Sequence, residues 1–330
     1  MSGYQIITDA TADLTEAWAN QIGVEIIPME CQLGGTPYTF GPGGNITGEE
    51  FFAGMRAGKM GSTSQINPTV YEEHFTRCLD QGLDVLYICF SSGLSGTIQA
   101  AKLCMEDLRE KYPDRKLICV DSLAASAGEG LLVTGAAAQK AAGLSLEELA
   151  AWVEDHKQNV AHWFTVEDLN HLRRGGRISA ATAVVGSALQ IKPVMHCDSE
   201  GHLTNTAKAR GRKNSLLALI DHMDKDWTPE LSRQVFICHG DCLSDAEFLK
   251  AAVLERHPDA EITMFHMGPI IGAHTGPGAM ALSFWGAGRY PAEQEQRQIP
   301  LGFAVAFALP GIRIKAQQPT PAAAVKPQAR

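Results

Sequence analysis

The stretch Asp84-Val85-Leu86-Tyr87-Ile88-Cys89-Phe90-Ser91-Ser92-Gly93-Leu94-Ser95-Gly96-Thr97, DVLYICFSSGLSGT, joins an unbroken apolar run to a turn of serines, glycines and a threonine. A short run that is apolar throughout, not at every second residue, predicts a strand buried on both faces. The turn then lies at the strand's carboxyl end and opens the helix expected over 96–111. Glycines there allow the backbone to approach a ligand closely, and the free amides of a helix start point at it. Such a turn suits an anion, a phosphate or a carboxylate.

Working outward, the same unit repeats. Strands are expected over 4–8, 24–29 and 116–120, with helices from Ala12 and over 48–57, 68–80 and 124–142. Apolar strands alternating with helices predict a parallel sheet covered on both faces, whose ligand crevice lies at the carboxyl ends of the strands. Asp9, Asp121 and Ser122 also stand at strand ends, where capping of the next helix accounts for them.

With 330 residues there is room for two cores of roughly 150 residues each. Hydrophobic residues make up 45% and charged residues 20%, the balance of a globular chain. The net charge of −9 argues against a nucleic-acid binder, whose affinity rests on a broad basic surface. The start, MSGYQIITDATADL, does not resemble a signal peptide, so a cytoplasmic protein is expected. The late apolar run 301–309 is too short for a membrane span and reads as a strand. The eight cysteines form no CxxC pair, and Cys238-His239-x-x-Cys242 alone makes a poor metal site; no metal and no cofactor are expected.

Candidate chemistry gathers in three places. The opening turn lacks the lysine of a phosphate-binding GxxxxGK[ST] loop, and no GxGxxG is present, so nucleotide binding is not indicated. Gly93-Leu94-Ser95-Gly96-Thr97 is one glycine short of a G-x-S-x-G nucleophile elbow; with His274 it keeps a serine hydrolase acting on an acyl ester as the alternative reading. The segment 164–195 reads as strand, short helix, Arg/Gly turn, small-residue helix over 178–190, and strand. Its Arg173, Arg174 and Arg177 put three guanidinium groups around Gly175-Gly176, a geometry suited to phosphate or a carboxylate-bearing partner. Finally, MGPIIGAHTGPGA (267–279) strings glycines and prolines around one histidine, His274.

Taken together, ITDATADL, ITGEEFF, STSQINPT (62–69), SSGLSGTIQAA, VDSLAASAGEG, DLNHLRRGGRIS with LQIKPVM, KARGRK and GPIIGAHTGPGAM stand in an order that resembles the DegV family of bacterial fatty-acid-binding proteins, across nearly the whole chain. The resemblance implies an α/β protein with two domains: an N-terminal parallel sheet flanked by helices over 1–160 and a C-terminal mixed α/β domain over 161–315, with the ligand between them. It further implies one long-chain fatty acid, its carboxylate held by Thr63, Ser64, Ser92 or Ser95 and His274. Ser95, with a hydroxyl and an amide at a helix start, is the favoured serine. Family members act as the lipid-binding subunit of a bacterial fatty acid kinase, presenting the carboxyl group to a separate ATP-binding subunit that makes an acyl phosphate for phospholipid synthesis. On that pattern Arg173, Arg174, Arg177 and Arg210 serve the partner or the transferred phosphoryl group. The loop FGPGGN (40–45) departs from the family pattern, and the Pro/Ala/Gln-rich end, 316–330, reads as a disordered tail.

Overall fold

The computed structural model describes residues 3–178 and 191–289. Most of the helix expected over 178–190, the strand over 301–309 and the tail lie outside these residues. Four parallel strands form the first sheet, in the order Val24–Ile27, Tyr4–Asp9, Asp84–Cys89, Leu117–Asp121. Every residue of Asp84–Cys89 is buried, as its unbroken apolar run requires of a central parallel strand.

The run expected as one strand over 24–29 is two. Pro28 has no amide hydrogen for a ladder, so the chain leaves the first sheet there. Met29–Leu33 then becomes the middle strand of a small antiparallel sheet between Thr36–Phe40 and Gly61–Thr63. This sheet carries Thr63 to the site. The FGPGGN departure closes as a turn: Asn45 accepts from and donates to the backbone of Thr39.

A third sheet has six strands in the order Leu203–Arg210, Ile191–Cys197, Val160–Thr165, Met280–Trp285, Gln234–His239, Glu261–His266. Only the last pair is parallel. Helices Arg212–Asp226 and Leu243–Arg256 cover one face over an apolar cluster of their own. The other face meets helix Ser126–Ala141, which also touches the short helix Ala10–Ala12 following the first strand. This helix is therefore a wedge between the sheets, and its glycines explain how close they come. A Cβ on Gly128 would stand 1.7 Å from His162 Cε1, one on Gly130 2.7 Å from the Ala12 carbonyl oxygen, and one on Gly135 2.8 Å from the Trp285 ring. One continuous buried cluster consequently runs from Ile6 to Trp285.

Asp13 fastens the same junction. It is 4% exposed, and accepts hydrogen bonds from Ser126 Oγ at 2.6 Å, the Gly268 amide at 2.8 Å and Cys238 Sγ at 3.6 Å. Burial outweighs these bonds and pushes its carboxyl from 3.8 up to about 7. A carboxyl that binds its proton more tightly folded than unfolded lends stability below its unfolded pKa, and that stability is lost as pH rises through the folded pKa. Melting temperature is therefore expected to fall between about pH 4 and pH 7 in part through Asp13. Asp13→Asn, which keeps an acceptor for Gly268, should flatten that slope; an unchanged slope would show that Asp13 does not titrate there.

Candidate functional site

The opening turn is held first by its own serines. Ser91 Oγ donates to the Gly201 carbonyl (2.9 Å) and accepts from the Gly93 amide, tying the turn to the hairpin of the third sheet. Asp121 and Ser122 do not cap the next helix, which starts at Ser126 with Ala125 as its N-cap; Asp121 Oδ1 instead accepts from the amides of Ser92 and Leu123 and braces the turn. The glycines permit contact between chain segments: a Cβ on Gly93 would meet the Gly201 carbonyl oxygen at 2.8 Å, and one on Gly96 would meet Gln65 Nε2 at 2.8 Å. The second contact sets the turn against the STSQ segment.

Behind it lies an apolar cavity of about 1010 Å3, the open space at its mouth included. Thr63, Ser64, Ser95 and His274 all border it, as do Thr11 and Ser126, which the sequence did not single out. Thr11 donates to Glu129 Oε2 at 2.8 Å and also bonds Asp9. Burial pushes the carboxyls of Asp9 and Glu129 upward. Among the described lining residues, the one formal charge is Arg177, a cation.

Thr63 and His274, 211 positions apart in sequence, are joined by a 2.8 Å hydrogen bond between Oγ1 and Nε2. Burial, with help from the charge of Arg177, lowers the His274 pKa to about 4, so the ring is neutral near pH 7. The Arg/Gly turn packs directly on it. A Cβ on Gly175 would lie 2.3 Å from His274 Nδ1, and reciprocally one on Gly276, beyond His274, would lie 2.5 Å from His171 Cδ2. Arg177 donates from Nε to the Leu94 carbonyl (3.3 Å) and from Nη1 to the Gly175 carbonyl, stapling the Arg/Gly turn to the opening turn.

On the outer side, Thr63, Arg177 and His274 also border a second cleft of about 670 Å3 with Arg174 and His171. Arg174 is exposed, 3.1 Å from His171 Nδ1. The remaining expectations fare differently. Ser92 is exposed and borders neither space, because Ser91 is the buried serine of the turn. The Ser95 amide is used by the Ser91 carbonyl, leaving only its hydroxyl, which is 2.8 Å from Thr97 Oγ1. Arg173 and Arg210 are exposed and border neither space. Nor is a hydrolase triad assembled: His274 Nε2 is bonded to Thr63, not Ser95, and Nδ1 has no hydrogen-bond partner among the described residues. Cys238 faces Asp13 while Cys242 faces Arg212, and no metal-binding group of His, Cys, Asp or Glu occurs among the described residues. No described helix is long and apolar enough to cross a membrane.

A family model described as "Uncharacterised protein, DegV family" matches residues 4–286. The chain belongs to the DegV family. A DegV domain-containing protein of Clostridium perfringens is 40% identical over 291 residues, covering 88% of this chain and 100% of its own. Among solved structures, a DegV family protein from Thermus thermophilus, described by its fatty acid binding, matches with a TM-score of 0.76 at 29% identity, over 87% of this chain and 100% of that one. A stearic acid-binding protein from Eubacterium ventriosum matches with a TM-score of 0.74 at 25% identity, over 85% of this chain and 97% of that one. The DegV fold thus spans the three sheets described above, and the DegV relatives of known structure include fatty-acid binders.

Proposed function

We propose that this DegV protein binds one long-chain fatty acid in the apolar cavity, with the carboxylate at Thr63, His274, Ser64 and Ser95, and presents that carboxylate to a separate ATP-dependent kinase subunit. The observation that carries the reading is the position of the Thr63–His274 pair, which borders both the apolar cavity and the arginine-bearing outer cleft. A carboxylate there has neutral donors on one side and Arg177 beside it, while its chain occupies the apolar space. Burying about 14 methylenes at roughly 0.8 kcal/mol each gives about 11 kcal/mol, enough to offset much of the cost of association. The tail supplies affinity; the head group, at about 1.5 to 3 kcal/mol per charged hydrogen bond, sets orientation. The fatty acid binding described for the Thermus thermophilus DegV protein and the stearic acid described for the Eubacterium ventriosum protein support the same ligand class.

Exposed Arg174 in the outer cleft is suited to the incoming phosphoryl group, with Arg177 behind it; Arg173 and Arg210, exposed outside the cleft, are proposed to meet the partner. The first test is mass spectrometry of an organic extract of the protein purified without detergent, against a mock purification. A stoichiometric fatty acid is expected; a protein that is empty and takes up no added fatty acid defeats the proposal. With a bacterial ATP-binding kinase subunit added, Arg174→Ala should still bind lipid but form acyl phosphate at least about tenfold more slowly, the effect of one charged contact. Equal loss of both would place Arg174 with the lipid instead.

A further inference from the structure

The cavity wall is not apolar throughout. His162 and Ser283 stand directly opposite one another in the antiparallel strands Val160–Thr165 and Met280–Trp285, so their side chains share one face of the sheet with Cβ atoms about 5 Å apart. Both border the cavity, yet they are 7% and 1% exposed. The Nδ1 edge of the His162 ring lies over Gly128, and the Ala125 carbonyl is its hydrogen-bond partner. A carbonyl accepts only, which assigns the ring proton to Nδ1. Nε2 is left as a lone-pair acceptor with no hydrogen-bond partner among the described residues. Burial, with Arg289 and His196 nearby, lowers the ring's pKa well below its ordinary value, which keeps that lone pair free.

A plain methylene chain passing this point leaves the histidine nitrogen unsatisfied, which is costly in a dry site, and offers the serine hydroxyl nothing. An O–H on the chain satisfies both, whereas a ketone, an acceptor only, cannot serve Nε2. Neither residue belongs to the head-group set Thr63, Ser64, Ser95 and His274, so the pair meets the acyl chain and not its carboxylate. We infer that the cavity is built for a fatty acid carrying a hydroxyl part-way along its chain, the hydroxyl donating to His162 Nε2 and accepting from Ser283 Oγ. This deepens the lipid-binding reading and rests on it.

The test uses the full chain stripped of lipid, with displacement of a fluorescent fatty acid by octadecanoic acid, by octadecanoic acids hydroxylated at successive mid-chain carbons, and by the corresponding oxo acids. One hydroxylated isomer is expected to bind about tenfold more tightly than octadecanoic acid, the size of one net hydrogen bond, and its oxo counterpart no more tightly. His162→Phe should bring that ratio close to one, and Ser283→Ala, the smaller change, should lower it, which keeps the test sound if the histidine variant fails to fold. Hydroxylated acids that all bind no better than octadecanoic acid, or a preference unchanged by Ser283→Ala, overturn the inference while leaving lipid binding intact. A wild-type protein that binds none of the acids defeats the underlying reading instead.

Discussion

Replacing His274 by alanine should weaken binding of a long-chain fatty acid by about 10- to 100-fold while changing the affinity of the matching fatty alcohol by less than about threefold. The first figure follows from one hydrogen bond to a charged group, about 1.5 to 3 kcal/mol. The second follows because the alcohol has no charge to lose. Thr63→Val should act in the same sense, since the 2.8 Å contact with Thr63 orients the ring. Titration calorimetry with the two ligands on both variants measures this, and equal weakening of acid and alcohol would remove the head-group role. The pH profile adds a constraint: with a pKa of about 4, His274 is neutral from pH 6 to pH 8, and affinity should be flat across that range. Binding that strengthens as pH falls through 6.5 would mean that the ring is charged in the complex.

The second large effect is expected at Gly128. At an exposed helix position Gly→Ala gains up to about 1 kcal/mol from propensity. Here the added Cβ would stand 1.7 Å from His162 Cε1 and 1.8 Å from Nδ1. The ring is buried between a helix and a sheet, and to give way it must turn toward the cavity and leave its packed position. Overpacking of this kind costs about 1 to 3 kcal/mol and occasionally more, so the clash wins. Gly128→Ala should lower the melting temperature by roughly 2 to 12 °C, at about 2 to 4 °C per kcal/mol. Adding His162→Ala should recover part of the loss, because the two changes share one space. A single variant that melts within about 1 °C of the wild type would show that the helix can shift, and that the wedge is looser than its geometry indicates.

What the sequence made legible follows physical lines. Asp84–Cys89 announced itself because a strand buried on both faces must be apolar throughout. Met29–Leu33 did not, although Met29, Cys31 and Leu33 alternate with exposed Glu30 and Gln32: a five-residue strand fused to the preceding apolar run hides its change of sheet behind one proline. Gly93 and Gly96 signalled close approach correctly, but a sequence does not say what approaches, and it is the Gly201 carbonyl and Gln65. The Thr63–His274 pair spans 211 positions and has no local pattern; only the family resemblance put those residues together beforehand. That resemblance also offered Ser92, which is exposed, its amide held by the Asp121 carboxylate. His162 and Ser283 were invisible, since a polar residue in a buried strand looks the same whether it is satisfied by the core or held open toward a cavity.

The place of Met280–Trp285 bears on how the protein is made. This strand, near the end of the described chain, pairs with Val160–Thr165 on one side and Gln234–His239 on the other, and its Trp285 is the wall against Gly135 of the wedge helix. On the ribosome, more than 100 residues must therefore emerge after Thr165 before its partner exists, and two strand edges stay unpaired in the meantime. The wedge helix waits with them, one face packed and the other bare. Folding of the third sheet waits on Met280–Trp285, so a nascent chain halted before residue 280 is a client for chaperones, not a half-finished lipid carrier.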